Sequence, residues 1–161
     1  NDPRARRPAV CRQESDRLAG VPGKEHALDC DGNFSGESNG RAAVTVVVCT
    51  SCRDETGADS HPRAGELLAE SARSAAVGRE VDIRTVECLG NCKRRLSASI
   101  LRTDGWSYVF GDLSPTSGAD LVEGAELFAA SPDELMPWRG RPDCLKRGLV
   151  ARIPPLHLLK D

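Results

Sequence analysis

From Ala42 to Val48 the chain is apolar at every position but Thr45, the pattern of a central strand covered on both faces. A polar loop, Arg53 to His61, follows, and Pro62 suits the first turn of a helix. Ala64, Leu67, Leu68, Ala72 and Ala75 recur at intervals of three and four, drawing one apolar stripe along a helix that Gly78 would stop. Val81 to Val86 alternates apolar and polar and reads as a second strand. Ser97–Leu101 and Trp106–Phe110 flank Thr103-Asp104-Gly105, and Asp-Gly is a strong signal for a tight hairpin. Ser117-Gly118-Ala119-Asp120 has the form of a capping box. It opens a helix with Leu121, Val122, Ala125, Phe128 and Ala129 on one face, which Pro132 ends. The order strand, helix, strand, strand, strand, helix predicts an α/β two-layer sandwich with a four-stranded mixed sheet and two main helices.

Outside these elements the pattern fades. Residues 1–42 mix Arg, Asp, Glu, Gly, Pro and Ser without period and read as a flexible N-terminal extension. Residues 43–135 form the expected domain, and residues 136–161 a basic tail packing on or beside it. The chain starts at Asn1 rather than Met, as a fragment or a processed product would. Its basic first residues lead into no hydrophobic region, so no secretory signal is expected there.

Composition narrows the partners. With 22 Lys+Arg against 24 Asp+Glu, charge argues for neither nucleic acid nor a membrane surface. No apolar stretch approaches the ~20 residues that span a bilayer. Aromatic content of 4% suits a small core. Seven cysteines are an odd number for a disulfide framework, and four of them fall in two short clusters, which favours metal or redox chemistry in the cytoplasm.

Those clusters are Cys49-Thr50-Ser51-Cys52 and Cys88-Leu89-Gly90-Asn91-Cys92, each directly after a predicted strand. A strand–helix–strand unit sets its strands parallel, so both C-terminal ends reach one edge of the sheet. Cys49, Cys52, Cys88 and Cys92 are therefore the candidate metal and cofactor ligands. Gly90 can take a positive φ and turn amide N–H groups toward the sulfurs. Lys93, Arg94 and Arg95 either offset thiolate charge or form a solvated turn. Zinc knuckles often place Gly just after the second Cys, where this chain has Arg53 and Lys93, but spacing alone leaves zinc and iron–sulfur both open. Disulfide exchange is a third reading of C-x-x-C, against which the helix signal starts ten residues late, at Pro62.

The element order resembles the thioredoxin fold. Cys88-Leu89-Gly90-Asn91-Cys92 is similar to the C-L-G-x-C segment of thioredoxin-like [2Fe–2S] ferredoxins. More broadly, Val44 to Pro155 resembles a bacterial family of predicted metal-binding proteins of unknown function, often encoded beside cobalamin or cobalt-handling genes. The matching landmarks are Val47-Val48-Cys49-Thr50-Ser51-Cys52-Arg53, Cys88-Leu89-Gly90-Asn91-Cys92-Lys93-Arg94 and Tyr108-Val109-Phe110-Gly111-Asp112-Leu113. Pro137-Trp138-Arg139, Arg141-Pro142 and Ala151-Arg152-Ile153-Pro154-Pro155 complete them. Two departures accompany the resemblance: the ferredoxins space their first cysteines more widely, and many relatives carry a further Cys where this chain has Leu96.

The resemblance implies a [2Fe–2S] cluster on the four cysteines and an electron carrier or redox sensor rather than a catalyst, linked to cobalamin or cobalt metabolism. It also implies a redox partner protein and a homodimer. A zinc- or cobalt-binding module without redox work is the alternative. Cys11, Cys30 and Cys144 lack local ligand spacing, and His26, His61 and His157 are scattered, with only His61 placed to approach the thiols. Trp106, Tyr108 and Phe110 at period two read as packing rather than a base-stacking face.

Overall fold

A computed structural model describes residues 43–103 and 105–160. Within them β1 (Val44–Cys49), α1 (Ala64–Ala76), β2 (Asp82–Val86), β3 (Ala98–Arg102), β4 (Ser107–Phe110) and α2 (Gly118–Ala129) follow the expected order. A short helix α3 (Asp143–Arg147) and a strand β5 (Leu149–Ile153) come after them. The sheet runs β2-β1-β3-β4-β5, with β1 and β2 parallel and every other pair antiparallel. Asp104 of the predicted hairpin turn, and the predicted extension with Cys11, Cys30 and His26, lie outside the described residues.

The expectation of four strands is corrected to five. Residues 149–153 read as part of a basic tail because Arg152 interrupts a five-residue run, yet they pair along β4 as an edge strand. α3 starts after Pro142 and ends at Gly148, and its Leu145 is fully buried. The Cδ1 of Leu145 fills the groove beside Gly124 of α2. Residues 143–153 thus belong to the sheet and its core.

Coverage of the central strand also differs from expectation. α1 and α2 pack against each other and on β1, so Val44, Val46 and Val48 are buried while Thr45 and Val47 stay half-buried. Cross-strand partners share a face, and Val46, Ile100 and Tyr108 line up beneath the helices. Phe110, Phe128, Leu121 and Val122 complete that core. Tyr108 stacks on Phe110 with ring centres 6.3 Å apart and meets Phe128 edge-on at 5.2 Å, the packing role expected of the period-two aromatics.

Local signals placed the helices with three exceptions. In α1 the buried stripe is Ala64, Leu68, Ala69 and Ala72, while Leu67 is 45% exposed. Pro62 sits outside α1, and the Glu66 carboxylate of its first turn accepts from the backbone N of Arg63, the residue before the helix, at 2.7 Å. Ser117 starts α2, but its hydroxyl accepts from the Ser114 backbone N at 3.0 Å and makes no helix cap. No described helix is long and apolar enough to cross a membrane.

One-sided coverage gives a direct test. Ile100→Ala empties a fully buried site beneath the helices and is expected to cost about 3 kcal/mol. Leu101→Ala, on the facing side and 37% exposed, is expected to cost under about 1 kcal/mol. Urea midpoints measure both, and equal losses would contradict the two-layer arrangement.

Candidate metal centre

The two cysteine loops are joined by hydrogen bonds that carry the β1–β2 ladder past the strand ends. Thr50 N donates to Val86 O at 2.9 Å, and Ser51 N donates to Glu87 O at 3.0 Å. On the other side Cys49 N donates to Ser97 O at 3.0 Å, holding the first loop to the start of β3. Cys49 Sγ then donates to Glu87 O at 3.3 Å, one residue before Cys88. The structure therefore brings Cys49 and Cys52 beside Cys88 and Cys92.

Among the thiols, Cys88 and Cys92 stand 4.0 Å apart, Sγ to Sγ. Cys49 Sγ reaches the Glu87 carbonyl next to Cys88, and Cys52 and Cys92 line one cavity. Cys49 and Cys52 are buried, whereas Cys88 and Cys92 are exposed. The four are neighbours rather than a closed shell: among the described residues no three His, Cys, Asp or Glu side chains are arranged to hold a metal. Their chemistry nevertheless fits one class of group, because four thiols without a nitrogen or oxygen donor suit zinc or iron–sulfur.

Environment splits the thiols. Burial pushes the Cys52 thiol up, and its Cys49 neighbour adds to the shift. Cys88 is held below the usual thiol range, first by the Gly90 N–H that donates to its Sγ at 3.3 Å and next by Cys92. Cys92 is raised by Cys88, through the shared hydrogen bond and then through like charge. The Gly90 bond needs φ of +74°, a conformation that glycine takes without a Cβ clash.

Several positioning residues carry no sequence signal. The N-terminus of α1 abuts the first loop: Gly65 N donates to Cys52 O at 3.0 Å, and a Cβ there would strike the carbonyl oxygens of Cys49 and Thr50. A helix start thus meets the C-x-x-C loop although α1 begins twelve residues after Cys52. Arg63 Nη1 donates to Ser51 O at 3.3 Å. In the second loop Asn91 Nδ2 donates to Arg94 O at 3.3 Å and to Ser97 Oγ at 3.0 Å.

The basic triplet divides its work. Arg95 Nη1 donates to Asp54 O at 2.9 Å and to Glu55 O, tying the loop after Cys52 to the one after Cys92. Arg94 pairs with Asp112 at 2.7 Å and donates to Leu149 O and Arg147 O, which anchors the site to the last strand. Lys93 is exposed. A cavity of about 300 Å³ opens between Cys52 and Cys92, rimmed by Arg53 and Arg95. Leu96, where the resemblance places a further Cys, is buried at 4% exposure with φ of 55°.

The remaining candidates lie apart. His61 and His157 are exposed. Cys144 is half-buried on α3, and its Sγ donates to Asp120 Oδ2 at 3.4 Å. Burial, reinforced by that carboxylate, pushes its pKa up to about 11.

A family model described as "Protein of unknown function (DUF1636)" matches residues 46–155. No curated protein matches the chain. Among solved structures, a thioredoxin-like [2Fe–2S] ferredoxin from Aquifex aeolicus is similar at 16% identity, covering 71% of this chain and 96% of that one, with a TM-score of 0.47. That likeness is too slight to argue fold or function.

The thiol environments predict an order of reactivity. In metal-free protein at neutral pH, iodoacetamide is expected to modify exposed Cys88 well before Cys144, because the lowered pKa of Cys88 leaves more thiolate. Peptide mapping over time measures this, and Cys144 reacting as fast as Cys88 would contradict it.

Proposed function

The chain belongs to this DUF1636 family of proteins of unknown function, and from that premise we propose that it is a metal-binding protein. In this reading Cys49, Cys52, Cys88 and Cys92 hold a [2Fe–2S] cluster, and the protein serves as an electron carrier or redox sensor rather than as a catalyst. The observation that carries the reading is the pairing of the two cysteine loops side by side at one edge of the sheet, with Cys49 Sγ on the Glu87 carbonyl and Cys52 and Cys92 on one cavity. A bound cluster would accept and return a single electron.

The chain's own residues would do the rest. Each cysteine would bind as thiolate, so loading releases protons and strengthens as pH rises. Gly90 N–H is already aimed at Cys88 Sγ, and such bonds are among the levers that set a cluster's potential. Cys49 and Cys52 would anchor the buried side, while exposed Cys88 and Cys92 would form the rim that a redox partner protein approaches.

Burial of Cys49 and Cys52 favours a second reading, a zinc- or cobalt-binding module without redox work, since structural zinc sites are closed thiolate shells. Anaerobic purification followed by an absorption spectrum and metal analysis separates the two. The first reading expects a brown protein, iron and acid-labile sulfide in equal amounts, and absorption that dithionite bleaches. A colourless or cobalt-blue protein with stoichiometric zinc or cobalt would establish the second. Cys88→Ser is expected to lose the metal under either, and undiminished metal content in that variant would refute the ligand assignment.

A further inference from the structure

A second set of residues has no part in the thiol site: Pro137-Trp138-Arg139, Arg141-Pro142 and Arg152. In the fold the loop from Leu135 to Arg141 lies against Tyr108 of β4, and Tyr108 is the cross-strand partner of Arg152 on β5. Between them is a cavity of about 370 Å³, a size typical of small-molecule sites, whose walls include Tyr108, Met136, Trp138, Arg141, Leu149 and Arg152.

Arg141 is the unusual member. It is only 5% exposed, yet the acceptors that it meets are neutral: its Nε donates to Pro137 O at 3.2 Å and its Nη2 to Met136 O. Its guanidinium carbon lies 5.6 Å from the Tyr108 ring centre and 5.4 Å from that of Trp138. Arg152 is exposed, stacked 5.2 Å over Trp106. Among the described residues no carboxylate pairs with either guanidinium. Burial lowers the Arg141 pKa, Tyr108 opposes that shift, and Arg152 lies close enough to add to the lowering. Buried charges are as a rule paired, and this one has a second cation for a neighbour instead.

Among the described residues Arg141 Nη1 has no hydrogen-bond partner, and because no buried side-chain nitrogen there lacks one, Nη1 keeps accessible surface on a residue that lines the cavity. Beside it Trp138 remains 64% exposed, leaving aromatic surface free. An anion would supply the missing charge, and a flat body would find an indole to stack on.

We propose that this cavity binds a small organic anion, a planar body carrying one carboxylate or phosphate group. The anionic group meets Arg141 Nη1 and Arg152, and the planar body lies against Trp138. Guanidinium forks suit both acid groups. The site is independent of the thiol centre and does not require metal.

The tryptophans make it measurable, because the chain has only Trp106 and Trp138, and each stacks on one of these arginines. Purified protein is titrated with benzoate and with phenyl phosphate while its emission is followed, with benzamide and inorganic phosphate as controls. A saturable change with at least one of the two aromatic anions is expected, and which of them binds more tightly identifies the acid group. Benzamide should bind at least about tenfold more weakly than that anion, having lost the charge-assisted bonds. Arg152→Ala, an exposed substitution, should weaken binding about tenfold while metal content is unchanged, which keeps this test separate from that of the thiols. Arg141→Lys should do the same wherever it folds. Benzamide or inorganic phosphate binding as tightly as the better-bound aromatic anion, no response to either aromatic anion, or an unaltered Arg152→Ala titration would overturn the proposal.

Discussion

The hydrogen-bond ladder between the two parallel strands does not stop where the strands stop. Parallel pairing sends β1 and β2 to the same edge, and two further amide bonds, Thr50 to Val86 and Ser51 to Glu87, zip the loops beyond it. Cysteines more than thirty residues apart in sequence become neighbours without any of them having to provide the attraction. The thiols are therefore delivered by backbone pairing. A metal, once bound, would act on groups already gathered and would not have to close a long flexible loop first.

Around that ladder the surroundings divide the four thiols. Ser97 just before β3 and the N-terminus of α1 enclose Cys49 and Cys52, and desolvation favours the neutral thiol at Cys52. Cys88 and Cys92 sit at the surface on a loop bent by Gly90 and pinned by Asn91 and Arg94. The first pair is thus enclosed by the protein and the second is open to solvent. Arg94 also reaches the carbonyls of Arg147 and Leu149, so the last strand, remote in sequence, braces the second loop.

Much of this was legible in the residues. The apolar run before Cys49, the alternation before Cys88 and the Asp-Gly hairpin gave the order of elements through α2, and the short intervals within each cluster singled out the thiols. β5 escaped because a five-residue edge strand carrying Arg152 is too short and too polar to show a period, and is set by its partner β4. The contact of α1 with the first loop escaped for another reason. Sequence distance from Cys52 argued against it, whereas the crossover folds the helix start back onto the strand it left, and only Gly65 leaves the room. The Glu87 carbonyl has no motif because it works through backbone geometry, and Asn91 and Ser97 meet only through the fold of their own loop. Leu67 misled in a simpler way, since its spacing fits the stripe while its direction puts it at the edge.

The central claim, that both loops contribute sulfur to one centre, is tested most directly by extended X-ray absorption fine structure at the edge of whichever metal the protein retains. The account predicts a first shell made only of sulfur, with four neighbours per metal atom. A shell containing nitrogen or oxygen, or one in which replacing both Cys49 and Cys52 with Ser leaves the sulfur count unchanged, would contradict it.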